Sequence, residues 1–178
     1  LQLLSNFLGS ALSNANMFHT VERQKTEISI LNAQLRRNLD DLHHMATTDK
    51  LTGLKNYSYM EDELRRRIVD IQREPESQLS ILIMDLDHFK SFNDSFGHIV
   101  GNHALQQTAT CILDTIREVD AACRYGGEEF VVILPRCPLS NAAEVAERIR
   151  EKIEALTIES AEIRTSITIS IGASTFQQ

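Results

Sequence analysis

Gly126-Gly127-Glu128-Glu129-Phe130 lies between two apolar runs, residues 121–125 and 130–134. Glycine enters the left-handed backbone conformations of tight turns without steric cost, so the stretch predicts two strands joined in a hairpin. Glu128 and Glu129 then lie at the hairpin tip, where Gly127 leaves room for a ligand to approach the backbone. A solvated surface turn and a site for a divalent cation with phosphates both fit this stretch.

A second acidic site follows the apolar run at residues 79–84, which predicts a strand covered on both faces. The run ends in Asp85-Leu86-Asp87. If the hairpin lies beside this strand, Asp85 and Glu128 converge on one or two magnesium ions, with the Leu86 carbonyl as a further oxygen ligand. The two sites together favour metal-dependent phosphoryl chemistry over a solvated turn.

Several further segments accompany these two in a fixed order. They are Asp49-Lys50-Leu51-Thr52-Gly53-Leu54-Lys55-Asn56, Asp85-Leu86-Asp87-His88-Phe89-Lys90, Asn93-Asp94, Phe96-Gly97-His98, Arg117-Glu118-Val119-Asp120, Arg124-Tyr125-Gly126-Gly127-Glu128-Glu129-Phe130 and Ser170-Ile171-Gly172. The set resembles the GGDEF domain, the catalytic domain of diguanylate cyclases. An isolated GGEEF is weak evidence, whereas the ordered set is specific.

The resemblance implies an enzyme that condenses two GTP molecules into cyclic di-GMP and releases pyrophosphate. Each domain would hold one GTP and two Mg²⁺ ions, with Mn²⁺ as an alternative, and two domains would meet face to face. The alternatives are a cyclic di-GMP-binding regulatory module with weak or no catalysis, a cyclase of relaxed base specificity, and a dimerisation element that relays signals.

The resemblance also implies roles for individual residues. Asp85, Glu128 and the Leu86 carbonyl would bind metal, and Glu129 would assist metal binding or deprotonation of the attacking hydroxyl. The remaining substrate-binding residues would be His88 and Phe89 through backbone N–H groups, Lys90 through its charge, Asn93 and Asn102 at the guanine edge, and Gly127 in the turn.

Two departures from the family pattern bear on activity. Asn102 replaces the aspartate that accepts hydrogen bonds from guanine N1–H and N2–H2, and an amide cannot accept both. Base specificity is therefore open. The sequence also stops at Gln178, before the helix with basic residues that grip the triphosphate in the family, so we expect a domain truncated at its C-terminus.

An Arg-x-x-Asp pattern at Arg117 and Asp120 matches the family's inhibitory product site. Arg148, on a later predicted helix, stands where the family has a further arginine contact. A solvated pair at a helix end is the simpler interpretation of the pattern alone, but its offset from the hairpin favours a product site.

Residues 1–48 differ from the rest of the chain. The apolar residues Val21, Ile28, Leu35 and Leu42 repeat every seven residues, and the interleaved residues alternate between polar and apolar: Gln24, Leu31, Asn38 and Met45. The spacing predicts a parallel dimeric coiled coil, and an amphipathic helix packed on its own domain is the alternative. Residues 4–23 resemble the closing helix of a GAF-type sensor, so an upstream sensor domain is expected.

Composition limits the other classes of function. The chain has 178 residues, 42% hydrophobic, with a net charge of −7, which argues against a nucleic-acid polymer as partner. No membrane-spanning stretch or signal peptide is visible, and three cysteines without metal-ligand spacing indicate reduced thiols. We expect a cytoplasmic location, with a membrane tether elsewhere in the full-length protein as an alternative.

Elements after residue 49 follow in an order that defines an α+β fold. Helices are predicted near residues 57–73, 101–118 and 141–156, and a final strand at 165–171. Without the first helix the order is β-α-β-β-α-β, the ferredoxin-like plait of nucleotidyl cyclase palms. The predicted domains are a signalling helix at 1–48 and a catalytic GGDEF domain at 49–178.

Overall fold

The computed structural model describes residues 17, 23–25, 27–39, 42, 44–74, 77–160 and 163–177. The chain divides into two compact units, Leu1–His44 and Met45–Gln178. In the first unit, residues 27–39 form helix α1. Ile28, Leu31 and Leu35 on α1 are 56–58% exposed. Most of the stretch compared with a GAF helix, residues 4–23, lies outside the described residues.

The described residues of the second unit form four helices and six strands. In chain order these are α2 (Tyr57–Arg73), β1 (Leu79–Leu86), α3 (Phe89–Phe96), α4 (His98–Leu113), β2 (Ala121–Gly126), β3 (Glu129–Pro135), α5 (Leu139–Glu154), β4 (Ile158–Ser160), β5 (Ile163–Thr165) and β6 (Ile169–Phe176).

Four of the strands form one antiparallel sheet in the order β2-β3-β1-β6. This is the strand order of a ferredoxin-like plait, so the predicted α+β fold class is confirmed. The order puts β1 at the centre, directly beside the hairpin strand β3. Asp85 at the end of β1 pairs with Glu129 at the start of β3.

Strand β3 is buried on both faces, as its continuous apolar sequence requires. Phe130, Val132 and Leu134 face the main core, which α4 and α5 complete. Val131 and Ile133 face a second cluster with residues of α2. Because both faces are covered, packing fixes β3 from Phe130 onwards.

Several predicted boundaries were wrong. The stretch after β1 forms two helices, α3 and α4, because Gly97 breaks the helix at φ 83°. Helix α5 begins at Leu139 after Pro138, two residues before the predicted start at residue 141. The short β4-β5 hairpin was not predicted, and β6 begins at Ile169. Among the described residues, no helix has the length and hydrophobicity needed to cross a membrane.

Candidate active site

The end of β1 and the tip of the β2-β3 hairpin lie side by side. Asp85 and Glu129 are paired across the two strands, so their side chains project from the same face of the sheet. The Leu86 N–H donates to the Glu128 carbonyl over 3.4 Å. Gly127 has φ 50°, the left-handed conformation expected of glycine in this turn. The structure therefore brings Asp85, Leu86, Glu128 and Glu129 together.

The electrostatics at the end of β1, beside the hairpin tip, favour a bound cation. Burial raises the pKa of Asp85 above its ordinary value, and the nearby charges of Glu128 and Asp87 raise it further. A divalent ion would relieve this repulsion and compensate the burial.

The ligand set fits such an ion only if backbone and substrate oxygens contribute. In the described part of the chain, no group of three or more His, Cys, Asp or Glu side chains is arranged to hold a metal. Two carboxylates and the Leu86 carbonyl suit Mg²⁺, which is commonly bound through one or two carboxylates plus phosphate oxygens and waters.

Arg124 holds the hairpin turn from the side opposite β1. Its Nε and Nη2 donate to the Gly127 carbonyl over 3.0 and 2.6 Å. Its Nη1 lies 3.1 and 3.3 Å from the two carboxylate oxygens of Asp49. Asp49 also accepts hydrogen bonds from the Thr52 hydroxyl and N–H. The residue preceding Glu128 is thus connected to the segment that begins the second unit.

The candidate phosphate-binding residues lie directly after β1. His88 has φ 57°, and this left-handed conformation allows α3 to begin at Phe89. The first backbone N–H groups of a helix lack intrahelical partners and favour anions. Lys90 in the first turn is exposed. His88, Phe89 and Lys90 thus lie at the end of the strand that carries Asp85.

The two candidate base-reading residues lie on α3 and α4. Asn93 Oδ1 is buried and has no hydrogen-bond partner among the described residues, so its acceptor capacity is unused. Gly101 packs against it, because a Cβ there would lie 1.9 Å from Asn93 Oδ1. Asn102 follows Gly101 on α4 and is exposed.

Arg117 and Asp120 form a closed pair. Arg117 Nη2 and Nε donate to the two oxygens of Asp120 over 2.7 and 3.0 Å. This bonding raises the pKa of Arg117. The Asp120 side chain is 1% exposed and that of Arg117 56%, so a ligand could reach the Asp120 carboxylate only after the pair opens. Arg148 donates to the Thr115 carbonyl, two residues before Arg117.

A surface groove of about 400 Å³ runs beside this pair. Arg67 and Arg136 also line it, and neither was predicted to belong to a site. The sequence likewise placed Asp49, Arg124 and Asp87 in motifs but gave them no role. The contacts of Arg124 with Asp49 and of Asp87 with β6 join distant parts of the chain, and the motif positions alone were the available signal.

A family model for the diguanylate cyclase GGDEF domain matches residues 46–178. The chain therefore belongs to the GGDEF family of diguanylate cyclase domains. It is 41% identical over 144 residues to the response regulator PleD of Caulobacter vibrioides, covering 79% of this chain and 31% of that protein.

A second relative is diguanylate cyclase A of Treponema denticola, 37% identical over 171 residues, covering 95% of this chain and 46% of the relative. The chain thus spans less than half the length of either relative. Among solved structures, it resembles the coiled coil and GGDEF domain of DgcB from Caulobacter crescentus in complex with c-di-GMP. The TM-score is 0.80 at 30% identity, covering 88% of this chain and 83% of the other.

Proposed function

We propose that this domain is an active diguanylate cyclase, which joins two GTP molecules into cyclic di-GMP and releases pyrophosphate. The observation that carries the proposal is the meeting of Asp85 and Glu128 at the end of β1, where the Leu86–Glu128 backbone bond joins the strand to the hairpin. Family membership supports the reaction class.

In this proposal the protein acts through positioning and charge. Two Mg²⁺ ions, or Mn²⁺, supplied to the site would neutralise phosphate charge and lower the pKa of the attacking 3′-hydroxyl. Asp85, Glu128 and the Leu86 carbonyl would hold them, with Glu129 as a further acid. The amides at the start of α3 and the Lys90 side chain would bind the triphosphate.

The guanine would lie between α3 and α4. Asn93 Oδ1, which has no hydrogen-bond partner among the described residues, would accept from a guanine N–H once its side chain turns towards the base, and the exposed Asn102 would contact the base edge. Gly127 would allow the nucleotide close to the turn.

Because each GTP must react with a GTP on a second domain, we also propose a homodimer. The exposed apolar residues Ile28, Leu31 and Leu35 on α1 support a parallel coiled coil as its contact. We further propose that an upstream sensor acts through this helix. The proposed location is the cytoplasm, where GTP is available. We propose residues 1–48 and 49–178 as the signalling and catalytic parts.

Pyrophosphate release from GTP in the presence of Mg²⁺ tests the catalytic proposal. The parent should turn over, whereas Asp85→Asn and Glu128→Gln should abolish turnover, since each removes a charged ligand. Circular dichroism and retained cyclic di-GMP binding would show that both variants are folded. Full turnover in either variant would contradict the proposal.

A second candidate function, a cyclic di-GMP-binding module, is favoured by Arg117, Asp120 and the adjoining groove. It predicts binding of cyclic di-GMP without pyrophosphate release in the parent. If the site instead inhibits an active cyclase, Arg117→Ala should weaken product binding by about 1.5–3 kcal/mol and increase product accumulation. Arg148→Ala should weaken it less. If Arg117→Ala binds cyclic di-GMP with the parent's affinity in calorimetry, Arg117 and Asp120 do not form the product site.

A further inference from the structure

Asp87 is an acidic residue near the end of β1 that the proposed metal site does not use. Its Oδ1 accepts a hydrogen bond from the Ser170 hydroxyl and its Oδ2 one from the Thr168 hydroxyl, both over 2.6 Å. Its backbone N–H donates to the Thr168 carbonyl over 2.9 Å. Three bonds therefore tie the residue after Leu86 to the start of β6.

The residue that follows Asp87 has an unfavourable backbone conformation. His88 has φ 57° and ψ 29° and makes no side-chain capping bond to α3. A non-glycine residue in this region costs free energy, and such conformations persist where the surrounding structure determines them. The three hydrogen bonds of Asp87 hold the residue before His88, and helix α3 begins with the residue after it, Phe89. Together they fix the course of the backbone from Leu86 to Phe89.

We propose that Asp87 is a positioning residue that anchors the β1-α3 loop for the metal-bound triphosphate and does not bind the metal itself. The proposal rests on the proposed function, which assigns the Leu86 carbonyl to metal and the His88 and Phe89 amides to phosphate. Both Asp87 oxygens already accept hydroxyl hydrogen bonds. The two acids of Asp85-Leu86-Asp87 thus have different roles: Asp85 binds the metal, and Asp87 holds the loop to β6.

Three variants separate anchoring from metal binding. Asp87→Ala removes both acceptors. Asp87→Asn keeps the size, one acceptor oxygen, and an NH₂ that can donate to the second hydroxyl. The double variant Thr168→Val/Ser170→Ala removes both hydroxyl donors and leaves the carboxylate intact.

The first measurement is the affinity for Mn²⁺ with a non-hydrolysable GTP analogue, determined by calorimetry. Asp87→Ala and the double variant should bind roughly 10–100-fold more weakly, the range found when partners of metal-binding groups are removed. Asp87→Asn should stay within about threefold of the parent, since its hydrogen bonds can be remade. If Asp87→Asn binds as weakly as Asp87→Ala while the double variant binds like the parent, Asp87 is a metal ligand and the proposal is wrong.

The second measurement is hydrogen exchange of a peptide spanning residues 84–92 in the ligand-free protein. Exchange should accelerate in Asp87→Ala and in the double variant but not in Asp87→Asn. Unchanged exchange in Asp87→Ala would overturn the anchoring role. A parent protein that does not bind the Mn²⁺ nucleotide would contradict the proposed function instead, and the exchange result would still decide whether Asp87 anchors the loop.

Discussion

Replacing Arg124 by Met should lower the free energy of unfolding by about 2–3 kcal/mol, since a hydrogen bond to a charged group contributes about 1.5–3 kcal/mol. The guanidinium binds both the Gly127 carbonyl and Asp49. Its side chain is 15% exposed, so solvent screens it little, and Met keeps much of the aliphatic bulk. Arg150→Met is the matched control. Arg150 pairs with Glu147 and Glu154 on the surface of α5, and its loss should lower the free energy of unfolding far less, because solvent screens exposed ion pairs.

Denaturant unfolding of the parent, Arg124→Met, Asp49→Asn and the double variant would measure the coupling energy. We expect about 1–2 kcal/mol, within the range for residues in one hydrogen-bonded network. A coupling energy near zero, or an Arg124→Met variant as stable as Arg150→Met, would refute the argument.

The stabilisation that the Arg124–Asp49 pair provides should depend on pH. Burial alone would raise the pKa of Asp49, but hydrogen bonds from Thr52 and Arg124 outweigh it and hold the pKa below its ordinary value. A lowered folded-state pKa means that this stabilisation is complete above the unfolded value of about 3.9 and is lost as the pH falls through the folded value. The difference in the free energy of unfolding between the parent and Arg124→Met should therefore become smaller in acid.

Three further substitutions test the substrate site. Gly101→Ala should weaken binding of a GTP analogue, because its Cβ would lie 1.9 Å from Asn93 Oδ1 and displace that side chain; unchanged calorimetric affinity would contradict this. Asn102→Asp should increase selectivity for GTP over ATP by a factor equivalent to about 1–3 kcal/mol, since aspartate accepts both guanine protons and repels adenine N1; an unchanged ratio in competition assays would show that Asn102 does not read the base. Asp85→Asn should raise the Tm of metal-free protein at neutral pH, because burial and Glu128 raise the pKa of Asp85 and its ionised form is unfavourable above that value. This gain in Tm should become smaller as the pH falls towards about 4. Thermal scans in EDTA that show a lower Tm for Asp85→Asn than for the parent at neutral pH would contradict the electrostatic argument.

The sequence was sufficient where local chemistry determines the structure. The glycine turn before Glu128 and the apolar runs around it predicted the hairpin, and the apolar run before Asp85 predicted the strand beside it. Their antiparallel pairing followed from the order of the elements. These features depend on hydrophobic pattern and turn residues, which can be read along the chain.

The sequence was insufficient where structure depends on distant or unusual contacts. Arg124 and Asp49 lie 75 residues apart, and Asp87 and Ser170 lie 83 apart, so no periodicity relates them. Helix α3 was missed because it starts after His88 in a left-handed conformation, which propensity does not predict for histidine. The closed Arg117–Asp120 pair likewise depends on rotamers rather than on the motif.

The central claim is that this domain condenses two GTP molecules at the site formed by Asp85 and Glu128. Incubating the protein with Mg²⁺ and a mixture of unlabelled and ¹³C-labelled GTP, followed by mass spectrometry of the products, tests it directly. We expect a cyclic dinucleotide with one labelled and one unlabelled guanosine, beside the two uniform species, and none of these with Glu128→Gln. Absence of the mixed product from the parent, or its undiminished formation by Glu128→Gln, would show that the proposed site does not catalyse this condensation.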